Sequence, residues 1–324
     1  MRILVTGGLG FIGVNLIAAL RRRPGAEIRV LDNGRAGNYQ LPFGDPRIQI
    51  RLGDILNPTV VEEAMAGADV VVHLAAETGI VESVRVPRKS LQVNVEGTLN
   101  LLEAARAQGI KRFVFASSNA AVGAHEPPLD ESKVPAPVSP YGAGKAAGEA
   151  LVAAYARAYR LGTVSLRFSN VYGPYSQHKG SVIATFFQSA LGEGSLTIHG
   201  NGSQTRDFLF VDDLNEAICL AMERAEPGSV FQIASGVETP ISVVADKIRR
   251  LVEADLGIRI LVRHSEARIG DVSRNFSSIA QARARLGFAP RIPLDEGLRR
   301  TWQWFKRVGL AQAPRMGGVS YGAE

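Results

Sequence analysis

The sequence predicts an α/β protein built on a doubly wound parallel sheet, with a smaller mixed α/β domain appended. Two patterns carry this. Short apolar runs alternate with helical periodicity over the first half of the chain, and a glycine-rich turn joins the first run to the first helix. Residues 2–6, RILVT, form the opening run; Gly7, Gly8, Gly10 and Gly13 follow, and a helical pattern continues to Leu20. Further runs lie at 28–31, 48–52, 70–74, 113–116 and 164–168, each separated by a helical stretch. Strands alternating with helices require right-handed crossovers, hence parallel pairing. After Phe168 the text SNVYGPYSQHKG is rich in turn formers, which sets a boundary near residue 170. The expected domains are a dinucleotide-binding unit over 1–169, with 207–235 returning to it, and a substrate unit over 170–324, mainly 170–206 and 236–310. There is no internal repeat, and the tail beyond Leu310, with Pro314, Gly317, Gly318 and Gly322, reads as extended or disordered.

Strand, glycine turn and helix in that order make a dinucleotide seat of the Rossmann type. Gly7, Gly10 and Gly13 let the backbone turn tightly and approach a pyrophosphate. The helix start at Phe11 and Ile12 offers unpaired N–H groups and a partial positive charge. Asp32 lies 19 residues after Gly13, at the end of the second run. A carboxylate there accepts hydrogen bonds from an adenosine ribose and repels a 2′-phosphate, which favours NAD over NADP, although Arg35 stands nearby. The plainer alternative is that Asp32 only caps a loop.

Composition excludes several classes. With 324 residues, 46% of them hydrophobic, the chain can bury a large core. No run of 18 uncharged apolar residues is present, so no membrane span is expected, and the opening residues do not read as a signal peptide. The single cysteine, Cys219, rules out an intrachain disulfide framework and suits a reducing cytoplasm. It lies in a helical pattern and reads as a small core residue. The net charge of +6 is scattered, with small groups at Arg21, Arg22 and Arg23 and at Arg299 and Arg300 that read as solvated helix ends. A nucleic-acid binder would cluster that charge beside aromatics; an anionic phosphorylated ligand accounts for it more simply.

Tyr141 and Lys145 stand four apart in SPYGAGKAAGEALVAAYARAY, and Ser118 precedes the tyrosine by 23 positions. On a helix, residues i and i+4 share a face, so the ammonium lies near the phenol. A phenol keeps its proton to about pH 10; a neighbouring cation favours the phenolate and makes it a general base. A serine at a strand end can share the substrate oxygen. The bland alternative is a surface Tyr and Lys on an ordinary helix.

Taken together, TGGLGFIG, LGDI, HLAAETGIVESV, NVEGTLNLLEAA, FASSNAAVG, SPYGAGKAAGE, LRFSNVYGP, GNGSQTRDFLFVDDL and RIGDVSRN resemble the extended short-chain dehydrogenase/reductases, and within them the nucleotide-sugar 4-epimerases. The resemblance runs from residue 1 to about residue 305. It implies NAD as cofactor, with contacts from Gly7, Gly10, Phe11, Ile12, Gly13, Asp32 and Asn33. Asp54 and Ile55 would meet the adenine, and Leu74, Ala75 and Ala76 would pass over the cofactor with Asn94 behind them. The backbone of Ser117 would face the nicotinamide. Ser118, Tyr141 and Lys145 would be catalytic, with a one-position slip between Ser117 and Ser118 left open. His73 is better read as a satisfied strand residue than as a base. The substrate diphosphate would meet Asn170 and two clamping arginines, Arg206 and Arg268, whose planar forks suit phosphate oxygens; a salt bridge of Arg206 to Asp207 is the plain alternative. Asp271 would hold the nucleotide ribose. Ser181 and Val182 would line phosphate and sugar, and the strand 196–199, with Thr197, the uracil. Thr78 and Asn119 complete the expected substrate contacts. No metal is implied.

The dehydratases and decarboxylases that resemble this chain carry acids just after the catalytic hydroxyl residue. Here the run is Ser118, Asn119, Ala120, Ala121, Val122, Gly123, which favours a 4-epimerase working through a transient 4-keto sugar. Val122 stands where the relatives have tyrosine. UDP-glucose/UDP-galactose is the default substrate pair and UDP-glucuronate/UDP-galacturonate the rival, with Arg85, Lys179 and Arg274 as cations near the expected sugar end. Asn275 replaces a bulky tyrosine that excludes N-acetyl sugars in relatives, so that exclusion is expected to relax. Another NAD-dependent sugar-nucleotide enzyme, or a non-catalytic NAD-binding sensor, remains the alternative. A homodimer through helices around 95–105 and 146–158 is implied, with alanine-rich faces that suit close packing.

Overall fold

Six runs of the first half pair as strands; five are largely buried, while the run Ile48–Leu52 closes the sheet edge with no buried residue. A computed structural model describes residues 1–35, 44–267 and 272–312. Along the chain, β1 (Arg2–Thr6), α1 (Phe11–Leu20), β2 (Glu27–Asp32), β3 (Ile48–Leu52), α2 (Pro58–Met65), β4 (Val70–His73), α3 (Ile80–Arg85), α4 (Pro87–Leu91), α5 (Gly97–Ala107), β5 (Arg112–Ser118), α6 (Asn119–Val122), α7 (Pro140–Tyr159) and β6 (Thr163–Phe168) follow one another. Every residue of β4 and β6 is buried, as parallel strands covered by helices on both faces must be.

Beyond β6 several strands shorten to two or three residues. The elements there are β7 (Asn170–Tyr172), α8 (Val182–Gly192), β8 (Ser195–His199), β9 (Thr205–Arg206), β10 (Phe208–Phe210), α9 (Val211–Arg224), β11 (Ser229–Ile233), β12 (Thr239–Pro240), α10 (Ile241–Leu256), β13 (Leu261–Ser265), β14 (Arg274–Asn275) and α11 (Leu294–Gln312). The main sheet has seven strands in the order β11-β6-β5-β4-β1-β2-β3, every pair parallel. Helix α9 packs on α1, and β11 adds to β6 at the sheet edge. The remaining strands form small sheets: β7 with β10, β8 with β13, and β9 between β12 and β14. One buried cluster runs from Val5 and Ile17 through Phe187 and Ile248 to Trp302 and Phe305, so the two halves share a core.

Strand order reverses between β1 and β4, which opens a crevice beyond their carboxyl ends, the usual ligand site of such sheets. Among the described residues, no helix is long and apolar enough to cross a membrane. The basic groups at Arg21, Arg23, Arg299 and Arg300 are solvated but paired, Arg21 with Asp45, Arg23 with Glu223, and Arg299 and Arg300 with Glu296; the last two lie within α11 and not at its end. Carboxylates from other segments or the preceding helical turn reach each guanidinium.

Candidate functional site

The glycine turn at the end of β1 is shaped by close approach. Gly7 has φ +70°, and a Cβ there would lie 2.6 Å from the Ala75 nitrogen. A Cβ on Gly13 would lie 2.4 Å from the Gly7 carbonyl oxygen. At Gly10 only the Gly7 oxygen, 3.2 Å away, would be met, so its outer side is open to a ligand. No side chain caps α1, and no acid occupies its first turn. That combination suits a pyrophosphate. Asp32 is 5% exposed; its carboxylate accepts from the Leu9 and Gly34 backbone N–H groups, at 2.9 Å and 2.8 Å. It therefore does fix the loops, as the plainer reading held, and it also places a carboxylate at the end of β2 beside the glycine turn. Asn33 donates to Asp54, whose other oxygen accepts from the Leu56 N–H. Ile55 is buried below. Leu74, Ala75 and Ala76 follow β4, and Asn94 holds that turn from behind, accepting from the Glu77 N–H and donating to the Glu77 carbonyl.

His73 is fully buried, with Nδ1 2.8 Å from the Thr6 hydroxyl and Nε2 3.0 Å from the Thr98 hydroxyl. Burial, then the charge of Lys145, lowers its pKa to about 3. The unfolded chain takes up a proton here below its ordinary 6.5 that the folded chain refuses. Stability from this group is thus complete above that value and is lost on acidification at about 1.4 kcal/mol per pH unit. Denaturant midpoints at pH 7.5 and 5.5 should separate more for the wild type than for His73→Gln; equal separations would reject this account.

Helix α7 starts cleanly: Ser139 accepts from the Gly142 N–H and Pro140 takes the first position. Tyr141 and Lys145 then face the end of β5. The Ser118 hydroxyl accepts from the Ala120 N–H at 3.2 Å and lies beside the Tyr141 hydroxyl, favouring its ionised form. The Lys145 ammonium donates to the Ala116 carbonyl at 2.7 Å and sits 6.0 Å from the Tyr141 ring centroid. The hydroxyl of Ser117 points the other way, donating to Glu149 at 2.5 Å, so of the two serines it is Ser118 that meets the tyrosine. One expectation is corrected. Burial holds the Tyr141 phenol above its ordinary value, the Ser118 bond opposing, while burial also brings Lys145 down to about 8 against the charge of Glu149. In the chain alone desolvation outweighs the lysine, whose ammonium is turned to a backbone carbonyl.

Around the second half, Asn170 opens β7, its N–H bonded to the Asp207 carbonyl. Arg206 on β9 donates to the carbonyls of Thr205 and Val272, and the Asp207 carboxylate is taken up by Ser235, Gly236 and Ser277. Ser181 precedes α8, Val182 begins it, and Thr197 lies in β8. Asn119 is turned inward, its amide donating to Ser277 at 2.9 Å and to Asn275 at 3.3 Å. Thr78 is exposed beside α3, and Val122 is fully buried. Arg274 is held bidentately by Glu238, Arg85 lies 3.6 Å from Glu82, and the Lys179 ammonium rests over the Phe11 ring at 5.2 Å. Arg268 and Asp271 lie outside the described residues. The buried pair Glu149–Arg167, below Tyr141 and Lys145, was missed by reading the sequence for substrate contacts; an acid four residues after Lys145 and an arginine inside the apolar run TVSLRF were its signals.

A parallel sheet with a glycine-turn dinucleotide seat and a Ser–Tyr–Lys cluster above β5 defines an NAD-dependent enzyme fold of the extended short-chain dehydrogenase/reductase kind. Residues 3–234 match the NAD dependent epimerase/dehydratase family, and the chain belongs to it. It is 33% identical to UDP-glucose 4-epimerase of Mycolicibacterium smegmatis, over 94% of this chain and 99% of that protein. It is 34% identical to dTDP-glucose 4,6-dehydratase of Streptomyces niveus, over 94% and 93%. The solved UDP-glucuronic acid 4-epimerase of Bacillus cereus, in complex with UDP-glucuronic acid and NAD, superposes with a TM-score of 0.87 at 29% identity, over 95% of this chain and all of that one. NAD is the cofactor of the family.

Proposed function

We propose that the protein inverts C4 of a UDP-sugar through a transient 4-keto intermediate, with UDP-glucose/UDP-galactose as the first substrate pair and UDP-glucuronate/UDP-galacturonate as the close second. The observation that carries this is the run after Ser118: Asn119 faces Ser277 and Asn275, and neither it nor Ala120 is an acid that could expel water from the sugar. The resemblance to a UDP-glucose 4-epimerase and to a UDP-glucuronic acid 4-epimerase supports both pairs.

In this reading Tyr141 removes the proton from the sugar 4-hydroxyl, Ser118 bridges the two oxygens, and Lys145 supplies a positive charge beneath them. NAD, held by the glycine turn, Asp32 and the Asp54–Ile55 turn, provides the hydride acceptor and, when oxidised, a positive charge that favours the phenolate as Lys145 does. Asn170, Arg206 and Arg268 would anchor the nucleotide diphosphate and Asp271 its ribose while the planar sugar turns; Thr78, Asn119, Ser181 and Val182 would line its path, and Thr197 the uracil. The cofactor ends the cycle unchanged, so none need be added. Two copies would pair through the outer faces of α5 and α7, where Leu99, Ala143, Ala150 and Ala154 are exposed, and the unpaired Cys219 suits the cytoplasm.

The test is incubation of purified protein, without added cofactor, with UDP-glucose and separately with UDP-glucuronate, followed by the anomeric proton signals in NMR. Appearance of the 4-epimer is expected, and the faster substrate names the sugar. A 4-keto-6-deoxy product would make the protein a dehydratase, and no conversion even with NAD supplied would overturn the reading.

A further inference from the structure

Tyr141, Lys145 and Glu149 follow at i, i+4 and i+8 on α7, so all three face the sheet. Glu149 takes no part in the chemistry proposed above, yet it is 6% exposed and fully engaged. Its Oε1 accepts from the Ser117 hydroxyl at 2.5 Å and from Arg167 Nε at 2.9 Å, and its Oε2 accepts from Arg167 Nη2 at 2.8 Å. Ser117 and Arg167 are register partners across β5 and β6, and the next pair along is Ser118 with Phe168. One carboxylate thus ties the helix that bears Tyr141 to two adjacent strands, one residue short of Ser118. The Lys145 bond to Ala116 makes a second tie to the same strand.

Stability alone does not explain this pair, because an apolar pair of similar volume commonly holds a core as well as a buried ion pair does. Position explains it better. Resting on the function proposed above, we propose that Glu149 is a positioning residue: it fixes the Tyr141–Lys145 pair against Ser118 and gives Lys145 its counter-charge.

The surroundings define the electrostatic consequence. Lys145 and Tyr141 face this region from α7, Arg167 from β6, His73 from β4, and Glu131 reaches toward Arg167 from the loop after α6. Glu149 is the negative charge acting on Lys145, which burial otherwise drives toward its neutral form. Lysine must stay charged for the phenolate to form, so loss of the carboxylate should bring the alkaline limb of activity to lower pH.

The experiment measures kcat and KM from pH 6 to 10 for wild type, Glu149→Gln and Glu149→Asp, with the UDP-sugar the wild type converts, alongside bound NAD released on denaturation. For Glu149→Gln the expected result is a kcat about 10–100-fold lower, KM within about twofold, and an alkaline limb lower by about one pH unit. Glu149→Asp keeps the charge but shortens the reach; its limb should stay put while kcat falls about 10-fold. Bound NAD should match the wild type in both. An unmoved limb in Glu149→Gln overturns the proposal, and so does a wild-type kcat in Glu149→Asp, which decides the matter if the glutamine variant does not fold. A wild type that makes no 4-epimer defeats the function proposed above, whereas an active wild type with unaltered variants defeats only the role of Glu149.

Discussion

Tyr141→Phe is expected to lower kcat by about 10²–10⁴-fold while leaving the fold and the bound NAD intact. The substitution removes one oxygen, which lies beside the Ser118 hydroxyl, and keeps the ring that packs near the Lys145 ammonium. Among the described residues no other group is so placed. His73 has both ring nitrogens engaged and is held neutral by burial, and the Ser117 hydroxyl is committed to Glu149. Because Lys145, at about 8, loses its proton below the range in which the buried phenol ionises, the rate of the wild type should climb with pH only up to the lysine's value. The check is kcat for both proteins across that range, with thermal midpoints and NAD content measured on the same samples. A phenylalanine variant that keeps more than about a tenth of the activity would move the base elsewhere.

The sheet was legible because its strands are long enough to show their pattern. Runs such as RILVT and VVVH carry three apolar residues in a row, as a strand covered on both faces requires. The strands β7, β9, β10, β12 and β14 have two or three residues each and carry no periodicity; pairing across the chain defines them, as when Arg206 joins Thr239 on one side and Asn275 on the other. The same limit applies at the site. Spacing placed Lys145 on the face of Tyr141, but the backbone carbonyl to which the ammonium turns belongs to another element. Spacing likewise could not separate Ser117 from Ser118; the partner of each hydroxyl does, one reaching Glu149 and the other Tyr141. Cations were harder still, since Arg274 looked available for a sugar carboxylate until Glu238, distant in sequence, was found to hold it.

Gly13→Val is expected to yield protein without bound NAD and with a thermal midpoint several degrees lower. Even the Cβ would lie 2.4 Å from the Gly7 oxygen, 2.5 Å from the Gly8 Cα and 2.7 Å from the Gly8 carbonyl carbon. All three are backbone atoms of the turn, so no side chain can swing aside. Either α1 moves away from β1 or the turn deforms. Overpacking of this kind costs about 1–3 kcal/mol in a well-packed core, and the first response disturbs the helix start whose N–H groups are proposed to hold the pyrophosphate. The cofactor should therefore be lost before the fold. Gly25→Ala separates this from backbone strain alone. Gly25 has φ +68° but no atom within 4 Å of an added Cβ, so the variant should lose a little stability and keep its NAD. Absorbance of the heat-released nucleotide and thermal midpoints with and without added NAD measure both variants. If Gly13→Val still purifies with stoichiometric NAD, the glycine turn serves only helix–strand packing and the pyrophosphate is held elsewhere. If it is empty and regains its midpoint at high NAD, the turn is the cofactor's seat, because ligand binding then restores by mass action what the valine displaced.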